Sequence, residues 1–256
     1  MKPALTDANK RRRLKWALDR IHGDDGLKCV DPMFDTVHVD EKWFFISRVK
    51  KTVYGVPEKK VKQRSCKAKR FILKVMFLSA VARPRWDHDK DEWFMARLEH
   101  DTLPKSFSPS EEAVAVMLAM LIDKVIPAIH ANWPRGVSNK IKIQQVNARP
   151  HVPPLDMDVV AACTSNGWDM EVVFQPPNSP DINVLDLGFF RAIRTLQLEE
   201  LSSSLEEIVD ATEAAWEGVS MQTLDKNFIS LQCCIQEVIR ARGATTINDY
   251  SAYIRT

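Results

Sequence analysis

The chain has 256 residues, of which 45% are hydrophobic and 27% are charged, and its formal net charge is +2. These values are typical of one large or two small globular domains, and the sequence has no internal repeat or low-complexity tract. The small net charge does not by itself indicate a nucleic-acid partner.

Membrane and secretory classes are not expected from the sequence. No apolar run approaches the roughly 18 residues of a membrane span, and the basic N-terminus lacks the apolar core of a signal peptide. The five cysteines have no metal-ligand spacing, which favours reduced thiols inside a cell over a structural zinc.

The first predicted element is a basic amphipathic helix from Thr6 to Ile21, with Thr6 at the N-cap position. We assign residues 1–30 to this basic linker helix. Its polar side carries five cations, Lys10, Arg11, Arg12, Arg13 and Lys15. Two interpretations stay open, a solvated helix face and a surface that contacts DNA phosphates.

A strand is predicted next, in which Val37 and Val39 alternate with His38 and Asp40. A carboxylate in the middle of an apolar strand is costly unless it is paired or bound to a metal. Asp40 is therefore a candidate functional residue, whereas Glu41 points to the opposite face of the strand.

Two more strands, residues 47–53 and 71–82, are predicted to form an antiparallel meander with the first. Between them lies the strongest run of charge in the chain. Its seven cations are Lys59, Lys60, Lys62, Arg64, Lys67, Lys69 and Arg70. A solvated loop and a DNA-phosphate surface both fit this run. The run lacks interleaved aromatic residues, which argues against stacking on single-stranded bases.

The segment 87–110 is predicted to be irregular and charged. Ser110 then precedes a long apolar helix with acidic residues in its first turn. The predicted buried face of this helix holds Val114, Met117, Leu118, Leu121 and Val125.

The stretch from Ile141 to Phe190 has the most specific pattern. It predicts a strand from Ile141, a helix over 155–165, a strand over 170–174, a loop with three prolines and a helix from about Val184. Asp186 falls in the first turn of that helix, where the helix dipole favours a carboxylate. It points towards the strand ends, where α/β folds bind ligands.

Amphipathic helices follow, one starting at Ser204 and one over 224–241. The second has Phe228, Leu231, Cys234, Ile235 and Val238 on one face, which is predicted to pack on the sheet, with a dimer surface as the alternative. The order of elements favours an α/β fold with a mixed sheet flanked by helices.

Three blocks carry a family resemblance: VHVDEKWFF, QQ-x-NARPH and QPPNSPD-x-NVLDLGFF. In this order they resemble mariner-like DNA transposases of the plant and oomycete type. The resemblance implies an RNase H-like, integrase-type catalytic domain with a five-stranded mixed sheet over residues 31–197, and C-terminal helices packed on it over 198–256. It also implies DNA as a partner, a nuclear location and a homodimer, with no membrane and no small-molecule cofactor.

The family uses three Asp residues, with 39 residues between the second and the third, and the same spacing separates Val146 from Asp186. By resemblance, Asp40 would bridge two Mg²⁺ or Mn²⁺ ions, Asp186 would hold one of them and residue 146 the other. Valine has no ligand atom, so we expect an incomplete two-metal site. Asp156 and Asp158 are the first candidates for a replacement ligand.

Two interpretations of the function follow. The first is a transposase-derived catalytic domain for Mg²⁺-dependent DNA cleavage and strand transfer, impaired at Val146. The second is a non-catalytic relic that only binds DNA or multimerises. In the family, a segment like KPALTDANK joins a helix-turn-helix region to the catalytic domain. We expect that region to be absent here, which also argues against activity.

Overall fold

A mixed five-stranded sheet forms the centre of the fold. The computed structural model describes residues 5–23, 26–46, 73–103, 111–134, 138–147, 153, 156–200, 202 and 204–245. In chain order the strands are β1 (Ile21–His22), β2 (Cys29–Val30), β3 (Thr36–Phe45), β4 (Lys74–Val81), β5 (Arg85–Asp87), β6 (Glu92–Phe94), β7 (Arg97–Thr102), β8 (Lys140–Gln145) and β9 (Asp169–Phe174). The short strands β1 and β2 pair with each other, as do β5 and β6.

The helices flank this sheet. In chain order they are α1 (Asp7–Leu18), α2 (Glu111–Met120), α3 (Ile126–Asn132), α4 (Met157–Cys163), α5 (Phe190–Gln197), α6 (Leu205–Gly218) and α7 (Met221–Arg240). Two wider π-helical turns, Leu121–Val125 and Leu185–Phe189, lead into α3 and α5. The predicted N-cap at Thr6 is confirmed, since Thr6 Oγ1 accepts from Asn9 N–H. The predicted helix start at Ser204 is confirmed as well, and Ser204 Oγ caps that helix by accepting from Glu207 N–H.

The order of strands in the main sheet is β7-β4-β3-β8-β9, which places β3 at the centre. β3 is antiparallel to β4 and parallel to β8, with Val39 opposite both Ala80 and Gln145. β9 continues the sheet parallel to β8. The predicted mixed five-stranded sheet flanked by helices is confirmed.

One strand of this sheet lies where the sequence analysis placed none. The predicted strand over 47–53 lies outside the described residues, whereas β7 forms the sheet edge within the segment 87–110, so the prediction of an irregular segment is wrong. In β7 only Leu98 is an aliphatic core residue. Edge strands of this kind carry charges because one side faces water, and this composition hides the apolar alternation of a strand.

The long apolar helix contributes to the core. Met117, Leu121, Val125 and Ile129 are buried, and the π-helical turn and α3 pack on β7. The 19 residues Val114–Asn132 nevertheless have the length and composition of a membrane span, with only Asp123 and Lys124 charged. Asp123 and Lys124 interrupt this stretch, so it is not an uninterrupted apolar run of the length of a membrane span, and length and composition alone are weak evidence that it crosses a membrane.

The C-terminal helix covers the side of the fold that carries the candidate site. The predicted face of α7 is buried, and Phe228 meets the ring of His38 on β3 edge-on at 5.4 Å between centroids. α7 also packs on α1 and on the turn Leu185–Phe189. The amphipathic pattern of this helix was sufficient to predict its buried face.

Candidate metal centre

Asp40 lies in the middle of the central strand and is 7% exposed. Its Oδ1 accepts a hydrogen bond from Glu41 N–H at 2.8 Å, and its Oδ2 accepts one from Asn183 Nδ2 at 2.6 Å. Burial raises the pKa of the Asp40 carboxyl well above its usual value, and the negative charges of Glu41 and Asp186 raise it further. A carboxyl group in this environment gains from a nearby cation.

Asp186 lies in the first turn of the π-helical segment, as the sequence pattern predicted for a helix start. Asn183 sets the entry to this turn, because its Oδ1 accepts from Leu185 N–H at 3.1 Å. The other end of the same amide donates to Asp186 Oδ2 at 3.4 Å as well as to Asp40 Oδ2 at 2.6 Å. One amide therefore joins both carboxylates, whose Oδ2 atoms lie within about 6 Å of each other.

Lys42 is the fourth side chain of this cluster, after Asp40, Asp186 and Asn183, and it was not predicted from the sequence. It follows Asp40 by two residues on β3 and so faces the same side of the sheet. Its Nζ donates to Asp186 Oδ1 at 2.6 Å and lies 5.3 Å from the centroid of the Phe190 ring. Each of the four oxygens of Asp40 and Asp186 thus accepts an N–H hydrogen bond.

Val146 is the residue at which the resemblance predicts the second of the three acids. β8 ends at Gln145, which pairs with Val39, so Val146 is the next residue along and comes level with Asp40. Its side chain is half-buried and has no ligand atom. Among the residues that the structure describes, no group of three His, Cys, Asp or Glu side chains is placed to hold a metal ion.

Asp156 and Asp158, the two candidates for a replacement ligand, both lie at the start of α4. Asp156 Oδ1 accepts from the backbone N–H groups of Asp158 and Val159 and caps α4. Asp158 is exposed in the first turn of the same helix. Capping satisfies the otherwise unpaired N–H groups at a helix start, so helix formation accounts for Asp156 without a metal.

A buried ion pair supports the loop that carries Asn183. Arg13 of α1 is fully buried and donates to Asp181 through Nη1 at 2.7 Å and Nη2 at 2.6 Å. Its Nε donates to the carbonyl of Gly243 beyond α7 at 2.9 Å. Arg13 is therefore excluded from the predicted DNA-phosphate face of α1. Asp181, in the proline-rich loop before Asn183, is the partner of this arginine.

The predicted DNA-binding residues of the central basic run lie outside the described residues. These are Lys59, Lys60, Lys62, Arg64, Lys67, Lys69 and Arg70. On α1, Lys10 pairs with Asp7 at 3.0 Å, and the remaining basic side chains there are exposed or half-buried except Arg13. Of the cations on α1, Arg13 is therefore buried in the fold, and the others remain accessible to solvent.

The donor atoms of the cluster fit one divalent cation better than two. Mg²⁺ and Mn²⁺ prefer hard oxygen ligands, and Asp40 and Asp186 supply carboxylate oxygens on the same side of the sheet. A second ion would need further oxygens near position 146, and valine supplies none. A cation between the two carboxylates would also have to displace the Asn183 amide and the Lys42 ammonium.

The sheet topology and the flanking helices define the class of the fold, which is RNase H-like with a mixed five-stranded sheet. No protein-family model matches the chain, and no curated protein matches it. Solved structures of the Mos1 mariner transposase share the fold. Its catalytic domain is 14% identical, with 96% of this chain and 99% of that chain covered and a TM-score of 0.63.

The larger Mos1 assemblies give the same result. The transposase in the pre-cleavage Mos1 transpososome is 15% identical, with a TM-score of 0.67. The match covers 96% of this chain and 66% of the Mos1 chain. The paired-end complex with the left transposon end is 16% identical, with a TM-score of 0.66 and 95% of this chain covered. This chain spans 65% of the transposase chain in that complex. The chain therefore has the fold of a mariner transposase catalytic domain.

Proposed function

We propose that the chain is a transposase-derived catalytic domain whose metal-dependent DNA cleavage and strand transfer are impaired at Val146. The observation that carries this proposal is the meeting of Asp40 and Asp186 on one side of an RNase H-like sheet, with Val146 level with Asp40. The Mos1 structures of the same fold include complexes with Mn and with Mg, which supports a divalent ion as the cofactor.

The roles of the chain's own residues follow from their placement. In such sites a pair of divalent ions stabilises the attacking and the leaving oxygen of a phosphodiester exchange. Asp40, at the centre of β3, would contact both ion positions, and Asp186 would hold one of them. Asn183, which lies just before the π-helical turn that carries Asp186, orients both carboxylates through its side-chain amide. Val146 leaves the other ion position without its own acid, so the chain should bind one cation far better than a second.

The decisive test adds the missing acid. We expect Val146→Asp to bind a second Mn²⁺ and to nick plasmid DNA, because it restores the third carboxylate of the cluster. Val146→Asn is the matched control, because asparagine has the shape of aspartate without its negative charge. Calorimetry with Mn²⁺ or Mg²⁺ and a plasmid-nicking assay measure the two effects. If the Val146 chain cuts as fast as the Asp form, and Asp40→Ala abolishes both activities, another acid supplies the third ligand and the proposal of impairment is wrong.

The second candidate function is a non-catalytic protein that binds DNA or multimerises. The absence of an acid at position 146 favours it. Binding would be independent of DNA sequence and would use the cations between Lys59 and Arg70. Each neutralised phosphate should contribute about 0.9 to the slope of log affinity against log salt concentration. Fluorescence anisotropy with duplex DNA measures that slope, and binding that is insensitive to salt or to Glu substitutions in this run would contradict it.

A nuclear location and a homodimer are part of the same proposal. A domain that acts on chromosomal DNA must reach it. A dimer would pair two such domains on two DNA ends; the Mos1 transposase, which has the same fold, has been solved as a paired-end complex with its left transposon end. Sedimentation of the chain with and without duplex DNA tests the dimer.

A further inference from the structure

We propose that Lys42 is a built-in cation that competes with a divalent metal ion for Asp186. This inference rests on the proposed function, because it assumes that Asp40 and Asp186 form a metal site. In the folded chain the positive charge of Lys42 already neutralises part of the negative charge of that site. The ammonium of Lys42 lies 2.6 Å from Asp186 Oδ1, on the same side of the sheet as Asp40.

The surroundings of Lys42 show that the fold does not require this ion pair. The Lys42 side chain is 45% exposed and that of Asp186 is 25% exposed. Ion pairs with this exposure contribute little to folding, because water solvates both charges and the long side chain loses freedom on pairing. The lysine can therefore leave Asp186 without unfolding the site, as a competing cation must.

The hydrogen bonds of the cluster show what a metal ion has to displace. Asp186 Oδ1 accepts from Lys42, both Oδ2 atoms accept from Asn183, and Asp40 Oδ1 accepts from Glu41 N–H. A divalent ion would bind a carboxylate oxygen at about 2.1 Å. On Asp186 Oδ1 it would then lie within about 5 Å of the ammonium, where the two positive charges repel each other.

The valine at 146 makes this competition stronger. With three acids the cluster would keep an excess of negative charge after pairing with one lysine. With two acids, Lys42 cancels half of the formal charge that attracts a metal ion. Its effect on affinity is therefore larger in this chain than it would be beside a complete set of carboxylates.

The test is the binding of Mn²⁺ to the whole chain, followed by calorimetry and by the electron paramagnetic resonance signal of free Mn²⁺. We expect Lys42→Met to lower the Kd for Mn²⁺ by about tenfold, the size of effect that one unit charge near a divalent ion produces even in a water-like dielectric. Methionine keeps the length and the apolar contact of the stem. Lys42→Arg keeps the charge and should bind Mn²⁺ as the unmodified chain does.

Two further variants separate this inference from the proposed function. Lys74→Met removes a lysine on the neighbouring strand that lies over Trp43, 3.8 Å from the ring centroid, and should leave the Kd unchanged. Asp186→Asn should abolish binding. If it does so and Lys42→Met binds no more tightly than the unmodified chain, the metal site stands and the role of Lys42 is overturned.

The remaining outcomes also decide the matter. If Asp186→Asn leaves Mn²⁺ binding unchanged, the metal is bound elsewhere, and both the proposed site and the role of Lys42 fail. If neither the unmodified chain nor Lys42→Met binds Mn²⁺, the lysine is not what limits binding, and the inference is overturned. A melting-temperature increase on adding Mn²⁺ that is larger for Lys42→Met than for Lys74→Met supports the inference independently of calorimetry.

Discussion

Removal of the Asp181 carboxylate should destabilise the fold more than removal of any exposed acid. Arg13 is 0% exposed and the Asp181 side chain is 9% exposed, and two short hydrogen bonds join them. In Asp181→Ala the guanidinium keeps its bond to the Gly243 carbonyl but loses both bonds from its Nη atoms and its counter-charge. Breaking a buried pair in this way costs about 3–5 kcal/mol, a large share of the roughly 5–15 kcal/mol that stabilises a typical domain.

Urea unfolding followed by circular dichroism measures this cost. Asp225→Ala is the matched control, because Asp225 pairs with Arg83 at 3.0 Å but is 40% exposed, and we expect it to cost less than about 1 kcal/mol. The double variant Arg13→Met/Asp181→Leu should recover most of the loss, since it removes the uncompensated charge as well. A cost for Asp181→Ala equal to that of Asp225→Ala would refute the assignment of a buried, structurally required pair.

Two other predictions follow from buried groups. Burial lowers the pKa of His38 and of His100 to about 3. Both imidazoles are therefore neutral in the folded chain above that pH. In the unfolded chain they become protonated below about pH 6.5. The free energy of unfolding should fall as the pH is lowered from 6.5 towards 3, by up to about 1.4 kcal/mol per pH unit for each histidine, and unfolding at pH 7, 6 and 5 should show a shallower slope for His100→Phe. The second prediction concerns Gly188→Ala, whose added Cβ would lie 2.1 Å from Asn227 Oδ1. We expect this variant to lose about 1–3 kcal/mol of unfolding free energy, and the double variant with Asn227→Ala should lose less. Equal melting temperatures for the single and double variants would contradict the clash.

The sequence predicted the elements whose pattern is local. The strand around Asp40 alternates apolar and polar residues, and α7 repeats its apolar face at helical spacing. Both predictions depend only on the spacing of apolar residues along the sequence, which is two in a strand and about 3.6 in a helix. The meeting of Asp40 and Asp186 needed the family resemblance as well, because 145 residues lie between them.

The features that the sequence did not predict depend on contacts between distant segments. Asn183 looks like one more polar residue of a proline-rich loop, and only the approach of the loop to β3 gives its amide two carboxylates to join. Arg13 sits in a run of cations, and the packing of α7 and Gly243 selects it for burial. A weak signal was available for it, since Trp16 and Ala17, three and four positions later, are apolar and share its buried face.

Lys42 could have been recognised from strand alternation alone. A residue two positions after Asp40 faces the same side of β3, so a lysine there must lie near any cluster that Asp40 joins. A lysine repels a metal ion, so the chemistry of metal ligands alone does not point to it. The charged edge strand β7 could not be predicted for a related reason, because its residues do not alternate between apolar and polar.

In the proposed site, a valine at position 146 changes which state of the cluster is lowest in free energy. Three converging carboxylates repel one another and need cations to be held together. With Val146 the two remaining carboxylates find N–H donors from Lys42, Asn183 and the strand itself, so the metal-free fold is complete without an ion. Restoring the acid should reverse this order: Val146→Asp should melt at a lower temperature than the unmodified chain without metal and regain the difference on adding Mn²⁺. A Val146→Asp protein that melts at the same temperature as Val146→Asn, with and without Mn²⁺, would show that residue 146 does not face the two carboxylates.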